Sequence, residues 1–142
     1  MLNSNTYLLP QEHFRFLLGQ ECKRAMRYTY FFAVVSIRSE MLDFEDFVVH
    51  PFHQLIGGVI RCSDFIGILG DRNIAIILHD TDTQNINKIV RRMRGKIQDY
   101  LVEPKKQAMK IRWACFPTHA ATAEDLLGIV EGEQDVEEDF PA

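Results

Sequence analysis

The chain has 142 residues, 46% of them hydrophobic and 25% charged, with a formal net charge of −4. That size and mix bury one substantial core and mark an ordinary globular domain. The acidic balance argues against non-specific nucleic-acid binding, and no apolar run approaches the ~20 residues that a membrane span needs. Residues 1 to 10 lack the basic n-region of a signal peptide. Three cysteines, Cys22, Cys62 and Cys115, stand far apart with no C-x-x-C pair. They read as small buried hydrophobes in a reducing, cytoplasmic compartment.

Pro10 to Arg27 predicts a helix with Phe14, Leu17, Leu18, Cys22, Ala25 and Met26 on one face. Tyr30 to Ile37 is a near-continuous apolar run, the pattern of a central strand buried on both faces. Phe44 to Ile60 is apolar at helical steps, and Pro51 either starts that helix or kinks it. Asp64–Leu69 and Asn73–His79 predict two strands joined by a short turn, a hairpin. Thr81 or Asp82 caps a helix running to about Leu101, with Ile86, Ile89, Val90, Met93, Ile97 and Leu101 as its buried stripe.

Glu103-Pro104-Lys105-Lys106 is a loop. Lys110 to Phe116 alternates, with Ile111, Trp113 and Cys115 on one face and Lys110, Arg112 and Ala114 on the other, as a half-exposed strand would. Thr122 opens a last helix with a capping-box pattern, followed by Leu126, Leu127 and Val130. The acidic stretch from residue 131 to 142 reads as a disordered tail behind a domain of residues 1–130. The inner elements follow the ferredoxin-like βαββαβ order. The fold class is α+β, with a mainly antiparallel sheet flanked by helices.

Few residues stand in patterns that carry chemistry. His50 and His53 lack a third ligand, and a helix entry explains them without a metal. His79-Asp80-Thr81-Asp82 reads as a strand end plus a helix cap. Ser36 has no nucleophile context. Trp113 reads as core packing. Arg61-x-x-Asp64 stands just before the hairpin, and Arg92 lies on the following helix beside Arg91, Arg94 and Lys96. The bland reading of the pair is a local salt bridge, worth about 0–1 kcal/mol if exposed. For the basic group it is a solvated helix face.

Taken in order, several pieces resemble a GGDEF domain, the bacterial module that makes cyclic di-GMP from GTP. They are Leu8-Leu9-Pro10-x-x-x-Phe14, then Arg61-x-x-Asp64 with its hairpin ending in Leu78-x-Asp80-Thr81. Trp113-Ala114-Cys115-Phe116-Pro117 and Thr122-x-Glu124-Asp125-Leu126-Leu127 complete the set. The resemblance spans roughly residues 5 to 130 and implies the palm-like fold of nucleotidyl cyclases.

Against the family's Gly-Gly-Asp/Glu-Glu-Phe turn, this chain has Gly70, Asp71, Arg72, Asn73 and Ile74. Asp71 adds bulk and negative charge where a glycine lets the backbone approach phosphates. Arg72 cannot ligate Mg²⁺. Ser36-Ile37-Arg38 stands where the family has Asp-x-Asp, and the guanine-reading segment is shortened. The resemblance therefore implies no catalytic residues, no metal, no cofactor and no cyclase activity.

Arg61, Asp64 and Arg92 match the residue types of the family's inhibitory site. There a guanidinium fork suits the guanine edge or a phosphate, and a carboxylate accepts from guanine N–H groups. Two functions stay open. One is a regulatory domain that binds cyclic di-GMP, with a ligand-linked homodimer. The other is a protein-interaction or dimerisation module that binds no nucleotide.

Overall fold

The computed structural model describes residues 8–39, 64–70, 72–100 and 109–132. The predicted helix at 44–60, His50, His53, Cys62, Arg61, Asp71, the 103–106 loop and residues 133–142 of the acidic tail lie outside the described residues. Glu131, expected to start that tail, instead ends the last helix and pairs with Arg15 at 2.7 Å.

The elements are β1 (Leu8–Leu9), α1 (Gln11–Tyr28), β2 (Phe32–Ser39), β3 (Phe65–Gly70), β4 (Asn73–His79), α2 (Ile86–Tyr100), β5 (Met109–Phe116) and α3 (Ala123–Glu131). They build one five-stranded sheet in the order β1-β3-β4-β2-β5. The four long strands pair antiparallel, and β1 adds a parallel edge on β3 through Leu8↔Ile66. β1 is the element that the sequence pattern missed, because two residues carry no periodicity.

The central strand β2 is buried at every position but Arg38. Alternation sends its side chains to two cores. Ala33, Val35 and Ile37 meet Ile74, Ile76, Leu78 and the α2 stripe of Ile86, Val90, Met93 and Ile97. Phe32 and Val34 meet Phe14, Leu18 and Ala25 of α1 and Leu126, Leu127 and Val130 of α3. These four belong to the predicted α2 stripe; Ile89 is partly buried against them, and Leu101 lies outside the described residues. Burying each such side chain contributes about 1.5–3 kcal/mol of transfer free energy.

Two expectations need correction. Met26 is 62% exposed, because α1 turns its core face through Phe14, Leu18, Cys22 and Ala25 and leaves Met26 to the side. β5 is not half-exposed: Ala114 is fully buried and Arg112 is 9% exposed, because α3 covers that face with Val130 and Leu126.

The helix ends also have local causes. Thr122 accepts from the Asp125 N–H at 3.1 Å and caps α3 as its sequence predicts. The start of α2 lies later than expected. Asp82 Oδ1 accepts from the N–H groups of Gln84 and Asn85 in a turn that precedes Ile86, while the Thr81 hydroxyl donates to the His79 carbonyl at 3.0 Å. α1 lies close on the sheet: a Cβ on Gly67 would stand 2.5 Å from the Phe14 ring.

Candidate functional site

Two polar groups sit at opposite ends of the β2–β4 pair. The first surrounds the hairpin turn. Gly70 pairs with Asn73 where the hairpin turns. Arg72 adopts a left-handed φ of 56°, uncommon for a residue with a side chain, and its carbonyl accepts from the Ser39 N–H at 3.1 Å. The turn is thereby tied to the end of β2.

A small cleft beside it is lined by Ser36, Arg38, Asn73, Lys110, Arg112, Val130 and Gly132. Cross-strand register assembles it: Arg38 lies opposite both Asn73 and Lys110, and Ser36 lies opposite Arg112. The Ser36 hydroxyl donates to the Val130 carbonyl at 2.9 Å. Among the described residues no carboxylate lines this cleft. Protein Mg²⁺ sites are usually built on one or two carboxylates, so the described lining does not fit a divalent metal. The carbonyls at the end of α3 suit cations, as a helix C-terminus does. Asn73 is 3% exposed and Ile74 is fully buried. These two turn positions serve the strand and the core.

The second group lies where β3 begins and β4 ends. Glu21 of α1 is 4% exposed and Asp64 is 6% exposed. Between them stands the His79 ring. Its Nε2 is 2.9 Å from Glu21 Oε2 and its Nδ1 is 3.3 Å from Asp64 Oδ1. Asp64 Oδ1 also accepts the backbone N–H of His79 at 3.0 Å. The Tyr30 hydroxyl donates to Glu21 Oε2 at 2.6 Å. Burial first, and then this bond to a carboxylate, push the Tyr30 pKa up to about 12.

The sequence-predicted site residues are therefore placed unevenly. Asp64 turns its carboxylate to His79, on the α1 side of the sheet. Arg92 is exposed on α2, which covers the other side. Arg61 lies outside the described residues. In the sequence Glu21 reads only as part of a helix and His79 only as a strand end: a lone glutamate in a polar stretch of helix shows nothing of its burial, and nothing local joins it to His79. Among the described residues no group of three His, Cys, Asp or Glu side chains is arranged to hold a metal ion.

Neither a family model nor a curated protein matches the sequence. Solved structures do match. The GGDEF domain of YfiN (TpbB) from Pseudomonas aeruginosa is 21% identical, with a TM-score of 0.72 over 89% of this chain and 81% of that one. The fold is that of a GGDEF domain. The FimX GGDEF domain of Pseudomonas aeruginosa gives a TM-score of 0.73 at 16% identity, over 89% of this chain and 86% of that one. A third GGDEF relative in fold, DgcB from Caulobacter crescentus, was solved with its coiled coil and in complex with c-di-GMP. It is 13% identical, with a TM-score of 0.65 over 89% of this chain and 74% of that one. In this GGDEF fold α1 and α3 lie on one face of the sheet and α2 on the other. No helix among the described residues is long and apolar enough to cross a membrane.

Proposed function

We propose that this chain is a catalytically inactive GGDEF-fold domain with a regulatory role. The observation that carries this reading is the cleft beside the hairpin, where Arg38, Lys110 and Arg112 gather and none of the described lining residues is a carboxylate. Phosphoryl transfer on this fold rests on metal ions that offset phosphate charge. Cations in that place neutralise phosphate but cannot hold the metal. The direct test incubates the purified chain with GTP and Mg²⁺ or Mn²⁺ and resolves the nucleotides by chromatography. Unchanged GTP is expected. Cyclic di-GMP formed above a protein-free control sinks the reading.

The ligand of this regulatory domain is cyclic di-GMP, held by Arg61 and Asp64 of one copy and, because Arg92 lies on the other side of the sheet, by Arg92 of a second copy in a ligand-linked homodimer. Its support is the set of residue types at the three positions and the c-di-GMP complex of the DgcB structure. Calorimetric titration with cyclic di-GMP is expected to give micromolar binding that Arg61→Ala abolishes. A second reading, a protein-interaction or dimerisation module without nucleotide, draws on the burial of Asp64 and its bond to His79. A folded sample that gives no heat at high ligand concentration would select it.

A further inference from the structure

A neutral imidazole carries one N–H and one lone pair. At His79 both ring nitrogens face carboxylate oxygens, Glu21 Oε2 at 2.9 Å and Asp64 Oδ1 at 3.3 Å. With a neutral ring and two ionised carboxylates, a lone pair would point at an anion. An imidazolium donates on both sides. The Glu21 and Asp64 side chains are only 5% and 1% exposed, so losing the proton would turn a ring lone pair toward one of two nearly dry carboxylates. Buried charges are costly unless paired.

The described neighbours on α1, β2, β3 and β4 favour the same state. From α1, Arg24 Nη1 reaches Glu21 Oε1 at only 4.0 Å, and its side chain is 66% exposed. Tyr30 donates to Glu21. From β3, the Phe65 ring meets the imidazole edge-on at 5.9 Å. From β2, Phe32 lies opposite in register and brings no charge. Asp80 follows in the chain and is exposed. Among these neighbours the anions dominate.

We propose that Glu21, His79 and Asp64 form a proton-dependent clamp that fixes the entrance of β3, and with it the Asp64 end of the Arg61-x-x-Asp64 segment. The clamp joins α1, β3 and β4 at one point, and it stands independently of nucleotide binding. The hydrogen bond to Asp64 raises the His79 pKa above its ordinary value, burial opposes this, and Glu21 adds to the rise. For a group raised on folding, the stabilisation is fully present below the unfolded value of about 6.5 and is lost as pH rises through the folded value. The clamp is closed in mild acid and opens toward alkaline pH.

The test is an NMR titration of the His79 ring in the intact chain, with amide-exchange protection of the His79 N–H followed over the same range, roughly pH 6 to 9. The ring should titrate above the ordinary histidine value, and protection should fall roughly tenfold as it loses its proton. Glu21→Gln should move the ring's titration back toward that ordinary value. A ring titrating at or below about 6.5, or protection that stays flat through the titration, overturns the clamp. The unmutated chain decides by itself if Glu21→Gln fails to fold. A purely structural His79 would leave the protection independent of its charge.

Discussion

The two ends of the β2–β4 pair carry opposite chemistry. At the Arg38↔Asn73 end, cations gather on adjacent strands, with Arg38 and Lys110 exposed directly opposite one another. At the Phe32↔His79 end, two carboxylates are buried with a histidine between them. Like charges side by side in water cost little and contribute little. Buried carboxylates persist only where their partners are held in place. The first end is open chemistry that a ligand, a partner or nothing could use. The second end is part of what holds the fold together.

The sharpest way to break this comparison is Glu21→Ala. It removes one partner from a buried charge cluster and should cost about 3–5 kcal/mol in urea unfolding. A cost near zero would show that the buried end is no more structural than the open one. Gly67→Ala probes the middle of the sheet, away from both ends. Its Cβ would press on Phe14 atoms at 2.5–2.8 Å, and overpacking of that kind should cost about 1–3 kcal/mol. A neutral result would mean that α1 lifts off the sheet at no cost.

Lys110→Glu places an acid opposite Arg38 and should stabilise by about 0.2–1 kcal/mol, most at low salt. Destabilisation there would mean that the cation set is structurally required. The smallest effect is expected at the thiols. Burial raises both Cys22 and Cys115 to about 11, and Glu21 adds to the rise at Cys22. A Cys62→Ser chain should therefore resist a thiol reagent at roughly pH 8 until it unfolds, since the thiolate is the reactive form. Fast labelling of Cys22 in the native state would reveal an opening at the α1 end of the clamp.

Most of the fold was legible because its strands and helices keep their periods over whole elements. The α2 stripe and the Ile74–Leu78 run show their burial in the sequence alone. Residue-level burial was less legible where it depends on a distant cover. Arg112 and Ala114 alternate as an exposed face would, and only α3 hides them. The cation-lined cleft was half legible: Ser36 and Arg38 stood out against the family's Asp-x-Asp, but Lys110 and Arg112 join them only through the β2–β5 register. Glu21 and His79 are far apart in sequence and meet only once α1 lies across β4. No local pattern encodes that meeting. The Arg61-x-x-Asp64 motif was visible, yet the environment that commits Asp64 to His79 was not.

The strand order has a consequence in time as well as in space. Only β3 and β4 are joined by a tight turn, and a hairpin of that kind forms in about 1–10 μs. The central strand β2 must wait on its other side for β5, the last strand made, where Phe32 meets Phe116 and Ser39 meets Met109. β1 closes the opposite edge only after β3 exists. Such distant pairings pay their loop entropy before contacts return it, and they set the pace of folding. During synthesis, the apolar flank of β2 awaiting β5 stays unpaired until the chain has passed Phe116. That interval, more than the finished structure, is when this domain is most exposed to wrong partners.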